Sequence, residues 1–220
     1  LVASPSVPSP VPASPPLFPR VRWAALLFLL VFTPSYGLVW GPRNFLHLCD
    51  VNVFLTVLAL WRGSALLLSS QVVTSLVVNL LWVLDVIGRV ALGQHFIGGT
   101  EYMFDDRFAL FVRLLSLFHL GLPALHLWAL GRTGYDRRGL ALGCALVAVV
   151  FLISWLCSDP IENLNFVYRD PIGRHAFGPP FVHLVISFVG LVVIVFVPTH
   201  LLLLRLYRRR LIPPAPVPSR

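Results

Sequence analysis

The chain reads as an all-α protein, a polytopic membrane helix bundle of about six transmembrane helices. Three observations predict that class. Of its 220 residues, 57% are hydrophobic and only 12% are charged, more apolar surface than a water-soluble domain of this size needs. Mean hydropathy is +0.84. Apolar runs of roughly 20 residues, the length that spans a bilayer core, recur along the whole chain.

Taken in order, residues 1–19 are a Ser/Pro/Val/Ala tail, too rich in proline for regular structure. Arg20 and Arg22 precede the first span, 22–40. No small-x-small cleavage pattern follows it, so a retained helix is expected rather than a signal peptide. Further spans are expected at 44–61, 64–88, 108–130, 139–157 and 180–206. The connections 89–107 and 158–179 are long and rich in Gly, Pro, Asp and Asn. The domain plan is therefore a disordered tail (1–19), a six-helix transmembrane domain (20–206) and an Arg/Pro-rich cytoplasmic tail (207–220).

The net charge of +8 comes from arginine alone, for there is no lysine. Arginines cluster beside one set of span ends: Arg20, Arg22, Arg62, Arg132, Arg137, Arg138, Arg205 and Arg208 to Arg210. On the opposite side Arg43, Arg89, Arg107, Arg169 and Arg174 are diluted by Glu101, Asp105, Asp106, Asp159, Glu162 and Asp170. The positive-inside rule then places both termini in the cytoplasm of a multi-pass inner-membrane protein, with the two long loops together outside. Basic residues at span ends meet lipid headgroups. A basic, aromatic-rich soluble face for nucleic acid is lacking. Membrane lipids are the expected partners, and the sequence names no protein partner.

Chemistry concentrates where the second span opens, at His47-Leu48-Cys49-Asp50-Val51-Asn52. Ionisable groups inside a membrane helix are costly, which makes such a cluster a functional candidate. Cys49, Asn52 and Thr56 share one helical face; His47 and Asp50 share another. Span 3 adds Gln71, Ser75, Asn79 and Asp85, with Arg89 placed to pair with Asp85. Span 4 adds Arg113, Ser116, His119 and His126. Convergence of these groups would make a polar cavity open to the outer leaflet.

A cysteine nucleophile needs thiolate character, which an imidazole supplies by taking the proton. His119 is the candidate base for Cys49, and Asp50 or Asp85 the acid that orients it, completing a triad. His47, Asn52, Asn79 and Asn165 are candidate substrate-binding groups, the amides of Asn52 or Asn165 serving as oxyanion donors. Plainer roles exist for each. A lone cysteine in an apolar helix is ordinarily a small hydrophobe, and buried Asn, Thr, Ser and His glue membrane helices at about 1 kcal/mol per contact. Asp85 with Arg89 reads first as a structural ion pair.

No cofactor and no metal are expected. The histidines lack H-x-x-x-H spacing, and His119 and His126, two turns apart, are separated by about 10–11 Å along the axis. Cys49, Cys144 and Cys157 form no C-x-x-C pair, so redox chemistry is poorly supported. A Cys49–Cys157 disulfide is left open by their location near one face.

Two resemblances extend this reading. Trp82-Val83-Leu84-Asp85, Gly98-Gly99-Thr100-Glu101-Tyr102-Met103-Phe104-Asp105 and Gly134-Tyr135-Asp136-Arg137-Arg138 resemble bacterial multi-pass membrane-associated proteins that carry a Cys-Asp pair at the head of the second span. That resemblance brings no activity. His47-Leu48-Cys49, with Asn165-Phe166-Val167-Tyr168, Pro171 and Gly178-Pro179-Pro180, is similar to the YwaF/transmembrane-protein-164 family, although Asn-Tyr there is Asn-Phe here. The animal members are phospholipid acyltransferases with a Cys/His pair. The resemblance implies that Cys49 carries an acyl group and His119 activates it. A related fold, the androgen-induced-gene family, hydrolyses lipid esters with Thr in place of Cys. The expected function is thus lipid acyl transfer or lipid ester hydrolysis. The alternatives are a non-enzymatic scaffold or lipid-binding protein, or a small proton-coupled transporter.

Overall fold

A computed structural model describes residues 16–212; 1–15 and 213–220, most of both expected tails, lie outside the described residues. Within them the chain folds into eight helices that stack into six rods. These are α1 (Val21–Trp40), α2 (Leu48–Arg62), α3 (Ala65–Leu92), α4 (Leu110–Leu115) continued by α5 (Phe118–Thr133), α6 (Gly139–Cys157), and α7 (Pro180–Leu191) continued by α8 (Val197–Leu206). Five rods are long and apolar enough to cross a membrane. The sixth, α2, has 15 residues and rises only about 22 Å. Its expected first turn, from residue 44, is instead a 3-10 turn over Pro42–Leu46.

The solvent-facing surface is apolar. Leu38, Val90 and Ile194 are each more than two-thirds exposed, which suits lipid and not water. Polar side chains point inward instead: Asp50, Asn52, Gln71, Asn79, His119 and His126 are all buried.

Helix α3 is the centre of the bundle, packed on α2, α5 and α6. Its contact with α6 is close because Gly139 and Gly143, four apart, turn bare backbone toward it. A Cβ on Gly139 would sit 2.6 Å from the Ser69 Cβ, and one on Gly143 would sit 2.7 Å from the Thr74 Cγ2. Small residues at this spacing let membrane helices approach until dispersion forces act along the whole seam.

Two rods are interrupted. At Ser116–Leu117 the α4–α5 rod tightens: the His119 amide donates to Ser116 O, three residues back, at 3.1 Å, and the His119 ring reaches the same oxygen. A side chain inserted into the ladder breaks it locally. Between α7 and α8 a π turn spans Val192–Phe196, just before Pro198, whose ring displaces the carbonyl one turn back.

The two long loops do lie together at one end, over the α1–α2 junction. Trp40 meets Tyr102 at 5.7 Å, Arg43 pairs with Glu162 at 2.9 Å, and Asn165 Nδ2 donates to Leu46 O at 2.7 Å. At the far end Trp23 packs edge-on against Trp61 at 4.8 Å. Both tail boundaries shift here. Phe18 is buried against Trp128, with ring centroids 5.5 Å apart. Beyond α8, Tyr135 N donates to Arg210 O at 3.0 Å and Ile212 N to Tyr135 O at 3.1 Å, strapping the chain to the α5–α6 turn.

Candidate functional site

The head of α2 is built by distant chain. Asn165, in the left-handed conformation (φ 53), accepts from Leu48 N at 2.9 Å and donates to Leu46 O at 2.7 Å and Ser154 Oγ at 2.8 Å. It caps the first free amide of α2 and ties it to α6. These three bonds give Asn165 a structural role at the head of α2.

Within that cap, Asp50 is buried and accepts from Asn44 Nδ2 at 2.7 Å. The Cys49 thiol donates to Asp50 Oδ1 at 3.7 Å. Among the described residues no arginine or histidine pairs with Asp50. A carboxyl this buried with so few donors is costly, and costly buried groups in membranes mark function.

Cys49 also lines a narrow cleft of about 20 Å³ between α2, α3 and α6, shared with Leu55, Gln71, Ser75, Asn79 and Val147. Asn79 is buried there with neither amide atom partnered among the described residues. Beside the cleft, Asn52 Nδ2 donates to Gln71 Oε1 at 2.8 Å, while its Oδ1 has no partner among the described residues. Thr56 reaches His126 Nε2 at 2.8 Å, so this histidine binds helices together.

No hydrogen bond joins His119 to Cys49 among the described residues. Its Nδ1 donates to Ser116 O at 2.8 Å, and its ring stacks between Trp82 at 4.4 Å and Phe118 at 4.1 Å. With Nδ1 committed as donor, the neutral ring keeps its lone pair on Nε2. The His47 backbone donates to Asn44 O at 2.9 Å and accepts from Asp50 N and Val51 N, each at 3.0 Å, while its ring makes no hydrogen bond among the described residues.

Asp85 stands apart from this group. It accepts from Ile97 N at 2.6 Å, Gly98 N at 3.2 Å and His95 Nδ1 at 3.0 Å, and from the Thr100 hydroxyl. Gly98 and Gly99, at φ +88 and +84, let the backbone curl around the carboxylate. Neither the triad role nor the Arg89 pair is realised: Arg89 donates to Gly93 O and lies over Phe104. Asp85 is a loop clamp. Arg113 serves the same loop, donating to Met103 O at 3.2 Å and Asp106 at 3.1 Å.

The clamped loop delivers what sequence reasoning missed. Tyr102 packs edge-on against Trp40 of α1, ring centroids 5.7 Å apart, and burial pushes its phenol well above the usual range. From α1, buried Tyr36 shares a 2.5 Å hydrogen bond with Ser116 Oγ. Tyrosines at span ends look like interfacial anchors in a sequence, so only the ring directions reveal them.

Among the described residues no three His, Cys, Asp or Glu side chains gather as a metal site. All three cysteines are free, which answers the disulfide expectation. Set against family models, curated proteins and solved structures, the chain finds no match in any of them.

Proposed function

We propose that this membrane protein transfers or hydrolyses the acyl group of a membrane lipid through a thioester on Cys49. The observation that carries the reading is the hydrogen bond from the Cys49 thiol to the buried Asp50 carboxyl, with Cys49 also lining a cleft between helices. A lipid tail reaches such a place sideways from the bilayer, with no soluble domain required. The likeness of His47-Leu48-Cys49 to the YwaF/transmembrane-protein-164 family supports the same chemistry.

In the acylation step, Asp50 takes the thiol proton as sulfur bonds to the ester carbonyl carbon. The carbonyl π pair moves to oxygen. Collapse breaks the bond to the lipid alcohol, which leaves with the proton from Asp50. His119, with Nε2 unprotonated, then serves as base for the water or alcohol that cleaves the thioester. Arginine asymmetry between the two ends supports an inner-membrane orientation with both termini cytoplasmic and the site in the outer leaflet.

Acyl trapping tests this. Wild type and Cys49→Ala in nanodiscs are incubated with phospholipid bearing a labelled acyl chain. A hydroxylamine-sensitive label on wild type alone is expected. Folded wild type that stays unlabelled across several lipid classes would move the assignment to a scaffold or transporter.

A further inference from the structure

We infer that Asn79 is the oxyanion donor of the Cys49 reaction, its Nδ2 group holding the ester carbonyl oxygen as sulfur attacks the carbon. The inference rests on the nucleophile reading above and deepens it by naming the group that receives the charge.

Cys49 and Asn79 line the same cleft. Helices α2 and α3 are joined by the tight turn at Gly63 and Ser64 and so run antiparallel. The bond from Asn52 Nδ2 to Gln71 Oε1 at 2.8 Å sets their register. Cys49 lies three residues from Asn52 toward the end where the long loops gather, and Asn79 lies eight residues from Gln71 in the same direction. Their levels are therefore about 7.5 Å apart along the axis. Each Cβ bond tilts toward its own helix N-terminus, so on antiparallel helices the two side chains lean toward one another across that gap. A carbonyl group is of a size to bridge what remains.

Among the described residues, the other polar side chains of the cleft are committed. Gln71 accepts from Asn52 and donates to Ser70 Oγ at 3.1 Å. Ser75 Oγ donates to Gln71 O at 2.7 Å, and Thr74 Oγ1 to Ser70 O at 3.0 Å. Asn79, only 1% exposed, has neither amide atom partnered. A buried amide left unpaired is costly, and with neither end tied down it can present its N–H donors to a ligand.

The cleft's size selects the ligand chemistry. About 20 Å³ holds one small polar group, which suits a carbonyl oxygen and excludes a phosphate or a headgroup. Val51, Leu55, Val147 and Val150 supply apolar walls. As sulfur bonds to the carbonyl carbon, the π pair moves to oxygen and Nδ2 donates to it. When that pair returns, the bond to the lipid alcohol breaks, and the alcohol leaves with the proton that Asp50 took from the thiol. A donor already in place stabilises the charge without reorganising.

Two reactions of one sulfur separate this role from helix packing. Acylation by labelled phospholipid passes through an oxyanion; alkylation by iodoacetamide does not. Both rates are read on the Cys49 peptide by mass spectrometry, from full-length protein in nanodiscs. Asn79→Leu is expected to slow acylation about 100-fold, as loss of one oxyanion donor does, with alkylation within about twofold of the parent. Its unfolding midpoint should be no lower than the parent's, since an unpaired buried amide gives way to an apolar group. Asn79→Ala, which cannot overpack the cleft, is expected to show the same split between the two rates. Equal losses in both reactions with a lowered midpoint would make Asn79 a packing residue and overturn the inference, as would unchanged acylation. In either case an acylated parent leaves the nucleophile reading standing. A parent that is never acylated at Cys49 would remove that reading and this inference with it.

Discussion

The thiol of Cys49 lies 3.7 Å from Oδ1 of Asp50, its neighbour in sequence, while Asn44 holds the other carboxylate oxygen at 2.7 Å. Adjacent helical residues ordinarily point about 100° apart. Here the first turn of α2 lets the sulfur reach back to the carboxylate. If Asp50 takes the thiol proton, Asp50→Asn slows labelling of Cys49 by acyl phospholipid 10²- to 10⁴-fold, the usual range for a general base. Labelling within threefold of wild type would assign the proton to another group.

Asn165 joins the second long loop to the heads of α2 and α6 through three hydrogen bonds. Asn165→Ala removes a helix cap and leaves buried partners unsatisfied, at a cost of about 2 kcal/mol. Thermal unfolding in detergent checks this, with a lowered midpoint expected. A midpoint equal to wild type would show the loop held by other contacts.

Asp85 is the clamp of the first long loop, receiving two backbone amides and two side chains. Asp85→Ala releases them, and hydrogen bonds to a charged acceptor are worth about 1.5–3 kcal/mol each. Amide exchange at Ile97 and Gly98 is therefore expected to speed by at least about tenfold, with little change in the middle of α3. Unchanged exchange at both amides would contradict the clamp.

The α3–α6 seam depends on bare backbone at Gly139 and Gly143. Gly139→Val forces the helices apart at Ser69, overpacking that costs about 1–3 kcal/mol or more. The expected result is a lower yield of folded protein and a lower unfolding midpoint, with Gly121→Ala, where open space surrounds the added atom, as the neutral comparison.

At the opposite end, Arg138 beside Asp136, with its backbone amide, holds that carboxyl below the usual carboxylate range. A folded-state value below the unfolded one means stability present above the unfolded pKa, about 4, and lost as pH falls through the folded value. Unfolding midpoints measured from pH 6 to pH 3 should fall at the acid end, and Asp136→Asn should flatten that fall. An unaltered acid slope in the variant would assign it to other carboxylates.

The membrane bundle was legible in the sequence because apolar runs and their interruptions are local properties. Val21–Trp40, Gly139–Cys157 and Pro180–Leu206 are the runs that hydropathy outlines, and arginine asymmetry separates the two ends. The G-x-x-x-G at Gly139 and Gly143 was also a readable signal, since close helix packing in lipid needs that spacing.

Pairing across the bundle was not readable. Sequence marked Cys49, Asp50, Asp85 and His119 as polar groups inside spans, and Asn165 as a loop candidate, without saying which of them meet. Tertiary structure decided that Asp85 closes a loop, that Asn165 caps α2, and that Tyr36 meets Ser116. The reason is physical: hydrophobicity acts through any apolar neighbour, so its pattern survives in one dimension. A hydrogen bond needs one partner at one distance and angle, and those are set only when the helices dock.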